Sequence, residues 1–225
     1  MNRFDIRSVL SLSLGLISAL IIGKPSFAEP ANLGLIRHEI RNYYNTGLYQ
    51  QELTKKIHLA HQYIIQQAKQ NQGQSNKLAL VLDIDETSLS NYQTMAKRDF
   101  VGSAQQIHSE IMAAKAPVIK PMLTLYKEAQ QHGITVFFVT GRKESERNAT
   151  QINLKKAGYS GWGGLYLRPD SYTYQSIIPF KSQSRAAITK QGYKIIATIG
   201  DQYSDIKGGY AQKGFKLPNP FYYLP

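Results

Sequence analysis

The chain of 225 residues contains no cysteine. Disulfides, thiolate metal sites and a lipid-modified N-terminal cysteine are thereby excluded, so stability must come from an apolar core or from bound ligands. Acidic residues are scarce, 15 against 27 Lys and Arg, for a formal net charge of +12. That excess is scattered, without a run of five or six like charges. Such scatter argues against nucleic acid polymer as a partner and for a general attraction of small anions. Internal repeats and low-complexity tracts are also missing.

One long apolar run does exist, SVLSLSLGLISALIIG at residues 8–23. A short segment of net positive charge, MNRFDIR, precedes it, and KPSFA follows with Ser26 and Ala28 at the −3 and −1 positions of an A-x-A-like site. This is the pattern of a signal peptide over residues 1–28, cleaved near Ala28, and it predicts a periplasmic or secreted protein with no stable membrane anchor. The competing reading is a retained N-terminal anchor, since the run approaches the lower length of a membrane span. Cleavage removes Arg3, Arg7, Lys24 and Asp5, lowering the net charge to about +10. Residues 29–225 then suffice for one domain with a sizeable core.

Residues 35–70 read as helical, because Tyr49, Leu53, Ile57, Ala60, Ile64 and Ala68 recur at spacings of three or four. The polar connector NQGQSNK (71–77) ends this region, so residues 29–77 are expected as N-terminal helices packed on a core of residues 78–225. There the rhythm changes. Strand-length apolar runs appear at LALVL (78–82), ITVFFV (134–139), GLYL (164–167) and IIATI (195–199), separated by helix-like stretches. Continuous apolar strands alternating with helices predict an α/β, doubly wound parallel sheet covered on both faces. Residues 92–121 are weakly patterned and are expected as a small insertion at the edge of the site.

In such a sheet, ligands bind beyond the carboxyl ends of the strands. The first run ends in Asp83-Ile84-Asp85-Glu86-Thr87, the second in Thr140-Gly141-Arg142, and the fourth in Gly200-Asp201-Gln202-Tyr203-Ser204-Asp205. Phe180-Lys181-Ser182 opens the helix before the fourth. Each piece has a bland reading: Asp-x-Asp as a helix cap, Thr-Gly-Arg as a turn freed by its glycine, Gly-Asp as a turn pair, Lys181 as a solvated cation. Their common position at strand ends is what speaks for a site.

These residues resemble a known family. LVLDIDETSLSN is similar to the DxDxT motif of the haloacid dehalogenase (HAD) superfamily, FFVTGR to its second motif, Lys181 to its third and IGDQYSDI to its acidic fourth. KAPVIKP, VFFVTGR, FKSQSR, GDQYSD and LPNPFYYLP resemble, more narrowly, the acid phosphatases of subfamily III, the class B, class C and plant vegetative-storage-protein group. The likeness spans roughly residues 40–225. It implies a HAD-like (Rossmann-like) fold and an exported, Mg²⁺-dependent acid phosphatase acting on small phosphomonoesters, nucleoside monophosphates among the candidates. It also implies Mg²⁺ held by the Asp83 side chain, the Asp85 backbone carbonyl and Asp201. Asp205 is expected to orient Lys181 or stand behind the ligands rather than bind metal directly.

The chemistry also follows from the residue types. Phosphoryl transfer needs an in-line nucleophile, neutralised equatorial oxygens and proton management at the leaving group. Asp83 is the candidate nucleophile, forming an aspartyl-phosphate, and Asp85, two residues on, the general acid and then base. Thr140, Gly141 and Lys181 are the candidate phosphate-binding residues. Three nearby carboxylates without cysteine or a well-placed histidine call for a hard cation such as Mg²⁺. Asp85 further favours phosphate over halide, because the dehalogenases of the superfamily generally lack that second Asp.

Tyr92, Phe100 and Arg142 are candidate substrate contacts, with Tyr172 and Tyr174 competing for the aromatic role. His38, His58, His61, His108 and His132 are read as surface or packed residues. Two other functions stay open: phosphotransfer to an alcohol, and a catalytically weak storage or binding protein like some plant relatives. Homodimerisation is likewise open.

Overall fold

The continuous apolar runs become a parallel sheet because each buries residues on two faces. A computed structural model describes residues 29–73, 75 and 77–225; the expected signal peptide and its cleavage site lie outside these. Two helices, α1 (Leu33–Asn45) and α2 (Leu48–Gln70), precede β1 (Lys77–Leu82). The insertion carries α3 (Tyr92–Lys97) and α4 (Ala104–Met112), and α5 (Lys120–Gln131) leads into β2 (Thr135–Lys143). Then follow α6 (Arg147–Lys156), β3 (Gly164–Arg168), α7 (Ile178–Lys190), β4 (Tyr193–Gly200), α8 (Tyr203–Ile206) and β5 (Lys213–Lys216).

All pairings are parallel, in the order β3-β2-β1-β4-β5, with Leu80 opposite Val136 on one side and Ala197 on the other. Leu78, Leu80 and Leu82 enter a large core with the stripe of α2 and with Met122, Leu125 and Ala129 of α5. Ala79 and Val81 face the other way, joining Phe137, Val139 and Ile195 beneath Ile188 of α7. Each fully buried large aliphatic contributes roughly 1.5–3 kcal/mol, so a strand apolar on both faces has no stable place except the middle of such a sandwich.

The predicted six-residue stripe of α2 is buried throughout. The helical region over residues 35–70 is, however, two helices. Gly47 sits in the left-handed region (φ 83°) and Thr46 Oγ1 donates to the Asn42 carbonyl at 2.7 Å, so the chain turns between α1 and α2. β2 also runs further than the apolar stretch, through Thr140-Gly141-Arg142-Lys143, with a register shift between Thr140 and Lys143. β5 is an added edge strand.

Leu33–Pro225 group into one compact unit; residues 29–32 lack regular structure. Among the described residues no helix is long and apolar enough to cross a membrane. Sequence order steps outward from β1 to β2 and β3, then returns to β4 and β5. The carboxyl ends of β1 and β4 therefore flank the topological switch point, where a doubly wound sheet opens a crevice.

Candidate active site

The β1–β4 ladder carries Asp83 to the crevice, its N–H donating to the Ile199 carbonyl at 3.0 Å. The chain then wraps tightly: the N–H groups of Ser88 and Leu89 both donate to the Ile84 carbonyl at 2.8 Å, and Glu86 adopts a left-handed conformation (φ 53°). Ser88 Oγ donates to the Asp83 carbonyl at 2.7 Å. This wrap turns the side chains of Asp83, Asp85 and Glu86 into a cavity of about 770 Å³, far larger than a phosphate needs.

Lys181, near the start of α7, is buried and donates to Asp83 Oδ1 at 3.0 Å and also to Asp205 Oδ1. Asp205 folds back to accept from the Gln202 N–H at 2.8 Å. That fold needs Gly200, because a Cβ there would lie 2.1 Å from Asp205 Cγ. Arg185, one turn along α7 and also buried, ties the same loop by donating to the carbonyls of Asp205, Lys207 and Gly209. Asp201 accepts from Thr87 Oγ1 at 3.2 Å, Gln202 Nε2 at 2.7 Å and Asn219 Nδ2 at 2.6 Å.

Negative charge is in surplus here. Burial and then the Asp205 charge push the Asp83 carboxyl well above its ordinary value, although Lys181 pulls it down. Asp201 is raised by the same two causes against Asn219 and Gln202. Burial would lower Lys181, but Asp205 and Asp83 outweigh it and raise the ammonium. The carboxylates of Asp83, Asp201 and Asp205 are all buried and bring one oxygen each within 4.8 Å of one another. An oxygen-only donor set with more acid than cation fits a hard divalent ion. Asp85 adds no carboxylate to this cluster.

Asp85 instead faces Arg142. The guanidinium is buried and bonds both carboxylate oxygens, and its Nη1 reaches Thr150 Oγ1 at 3.3 Å. Asn91 Nδ2 donates to Asp85 Oδ1 at 2.8 Å, and its backbone N–H to Glu86 Oε1 at 2.5 Å. Burial raises the Asp85 carboxyl, but Arg142 and Asn91 outweigh it and leave it below the ordinary range. Glu86 has only Asn91 against burial and the charges of Asp85 and Asp201, and is pushed up to about 8.

Of the residues expected from sequence, Asp83, Asp85, Lys181, Asp201, Gly141 and Arg142 line this one cavity, and Phe100 lines its outer wall. Thr140 is fully buried behind the wall, its hydroxyl accepting from the Arg142 N–H at 3.2 Å. Tyr92 is in the core, stacked on Tyr44 and packed against Phe221, and does not reach the cavity. Tyr172 and Tyr174 pack on one another outside it. Among the histidines, His108 stands in the cavity wall and pairs with the buried Glu146 at 2.8 Å.

Sequence reasoning quoted Gln202 and the C-terminal LPNPFYYLP only as parts of motifs, and assigned neither of them, nor Asn91, a role in the site. Besides Asn219, that segment supplies Leu224, which would meet a Cβ on Gly141 at 3.2 Å, and the Pro225 carbonyl, which accepts from the Ile177 N–H ahead of α7 at 2.9 Å. Tyr222 lines the cavity, and burial, followed by the charges of Asp201, Glu86, Asp85 and Asp83, raises its phenol. The signals were Asn-Pro and a cluster of rings near the end of the chain, which say nothing about which site a tail covers.

Residues 31–225 match the family described as HAD superfamily, subfamily IIIB (acid phosphatase). The chain is similar to acid phosphatase 1 of Solanum lycopersicum, 33% identical over 156 residues that cover 68% of this chain and 61% of that protein. It is equally similar to the stem 28 kDa glycoprotein of Glycine max, 33% identical over 156 residues, 66% of this chain and 61% of that one. The matched part thus spans about three-fifths of these relatives. Among solved structures, the class C acid phosphatase from Bacillus anthracis shares the fold with a TM-score of 0.67 at 20% identity, over 84% of this chain and 86% of that one.

Proposed function

The chain belongs to the HAD superfamily, subfamily IIIB, the acid phosphatases, and from that premise we propose that it is an exported, Mg²⁺-dependent phosphatase of small phosphomonoesters. The observation that carries this reading is the placement of Asp83: a carboxylate at the floor of a roomy cavity, paired with Lys181 and facing Asp201.

Asp83 attacks phosphorus through a carboxylate oxygen, the bond from phosphorus to the leaving oxygen breaks, and Asp85 protonates the departing alkoxide. Asp85 then takes a proton from water, which attacks the aspartyl-phosphate and releases inorganic phosphate with Asp83 restored. Lys181 neutralises phosphoryl charge, with Thr140 and Gly141 as the other phosphate-binding residues, and the Thr140 hydroxyl also accepts from the Arg142 backbone N–H. Asp83 and Asp201, with the Asp85 backbone carbonyl, would hold Mg²⁺, and Asp205 keeps Lys181 oriented. The ion supplies charge neutralisation for the phosphoryl oxygens.

Nucleoside monophosphates are among the substrates the cavity is wide enough to admit, with Phe100 and Tyr222 offering ring surface. The test is a panel of phosphomonoesters assayed at acidic and neutral pH, with Mg²⁺ and with chelator. Release of phosphate that needs the metal is expected; a panel wholly without turnover would leave a binding or storage role in its place.

A further inference from the structure

The cations lining the cavity are not equally engaged. Lys181 is held by Asp83 and Asp205, Arg142 by Asp85, and Arg98 by Glu110 at 3.2 Å. Two others, Lys143 and Arg168, have no carboxylate within ion-pairing distance among the described residues. They are register partners at the carboxyl ends of β2 and β3, so they stand side by side on the cavity wall. Arg168 Nε is buried there without a hydrogen-bond partner, an arrangement that costs free energy unless an acceptor arrives. Of the nearby acids, Glu146 pairs with His108 and Asp170 accepts two hydrogen bonds from Ser145, while Lys143 acts on Asp170 only from beyond ion-pairing distance.

We propose that Lys143 and Arg168 form a second anion subsite, which selects phosphomonoesters whose leaving alcohol carries another phosphate or a carboxylate. The inference rests on the phosphatase reading, since it presumes an ester seated on Asp83. β3 lies two strands from β1, about 10 Å across the sheet, and Arg168 stands two residues beyond the level of Asp83, so the backbones are about 12 Å apart, a span that a flexible spacer of about five carbons and the Arg168 side chain cover between them. Arg168 matches a planar oxyanion with its fork, and Lys143 adds a point charge. Arg142 cannot serve here, because Asp85 occupies its donors.

The probes are pentane-1,5-diyl bisphosphate and 6-phosphonooxyhexanoate, each compared with pentyl phosphate by kcat/KM, after allowance for the two equivalent ends of the bisphosphate. The wild-type protein is expected to favour the two esters with an anionic far end by about tenfold or more, less at high salt. Arg168→Gln and the exposed Lys143→Gln should each carry that ratio towards one. The phosphate and carboxylate arms distinguish which second group the subsite takes. Equal kcat/KM values in the wild type, or a preference that survives both substitutions, would overturn the subsite. Calorimetric binding of the same three compounds to Asp83→Asn separates the two readings. A preference in binding that is lost on adding Arg168→Gln, without turnover of any ester by the wild type, would retain the subsite and reject the phosphatase.

Discussion

Arg142 grips Asp85 by both carboxylate oxygens, Nη2 to Oδ1 at 2.7 Å and Nε to Oδ2 at 3.0 Å. This bidentate pair opposes the effect of burial and favours the anion. A general acid held below its ordinary range loses its proton at low pH, so within the proposed mechanism Asp85 sets the alkaline limb of kcat. Arg142→Gln removes the charge and hydrogen bonds that hold the Asp85 carboxyl down, so it should raise that carboxyl and move the alkaline limb of kcat to higher pH. The shift is measured with an alkyl phosphate, whose poor leaving group needs the proton, beside 4-nitrophenyl phosphate, which needs it less. A limb that stays in place for the alkyl ester would dissociate Arg142 from proton transfer.

Asp83→Asn is expected to reduce kcat by at least about a thousandfold, the scale seen when an enzyme loses its nucleophile. The fold should persist, since the amide oxygen can still accept from Lys181 and one buried like charge is gone. Thermal unfolding in chelator is expected to show a midpoint no lower than that of the wild type. Turnover near the wild-type rate would transfer the nucleophile's role elsewhere.

Glu86 makes metal-free stability fall with rising pH. Its carboxyl lies at about 8 in the fold against an ordinary 4.5. Between those values the folded chain keeps a proton that the unfolded chain has released, so stability is lost as pH climbs through that window. The effect is on the order of a few kcal/mol. Denaturant midpoints in chelator from pH 5 to 8 should decline, and Glu86→Gln should flatten the slope. A midpoint that rises over this range in the wild type would contradict the assignment.

Asn219 braces Asp201 through one hydrogen bond of 2.6 Å. Replacing it with alanine is expected to weaken Mg²⁺ or Mn²⁺ binding by about 10–100-fold, as removal of groups that orient metal ligands does. Calorimetry or Mn²⁺ resonance reads this without turnover. Unchanged affinity would mean that Thr87 and Gln202 orient Asp201 on their own.

The sheet was legible because its central strands are apolar on both faces, and runs such as LALVL leave a chain no other stable environment. β5 was not, since KGFK is short and only half covered. The carboxyl-end rule located Asp83, Asp85, Lys181 and Asp201, because each follows a readable strand or opens a readable helix. What escaped were partnerships across distance. Arg142 and Asp85 are 57 residues apart, and Asn219 and Asp201 are linked by a tail without periodicity. Tyr92 failed as a ligand-facing ring for a similar reason: adjacency to motif residues in sequence does not fix which way a short helix turns its face.

The position of β1 between β2 and β4 has a kinetic consequence. Pairing of β1, β2 and β3 gathers local chain and assembles no cluster of like charges beyond the motif itself. Only when β4 docks does Asp201 meet Asp83, with Asp205 close behind. With β3 already in place, the docking of β4 closes only the connection between Arg168 and Tyr193, and the repulsion of three carboxylates is met in that one step. A divalent ion that lowers this repulsion should speed the docking of β4, so refolding is expected to be slower in chelator than with Mg²⁺ present.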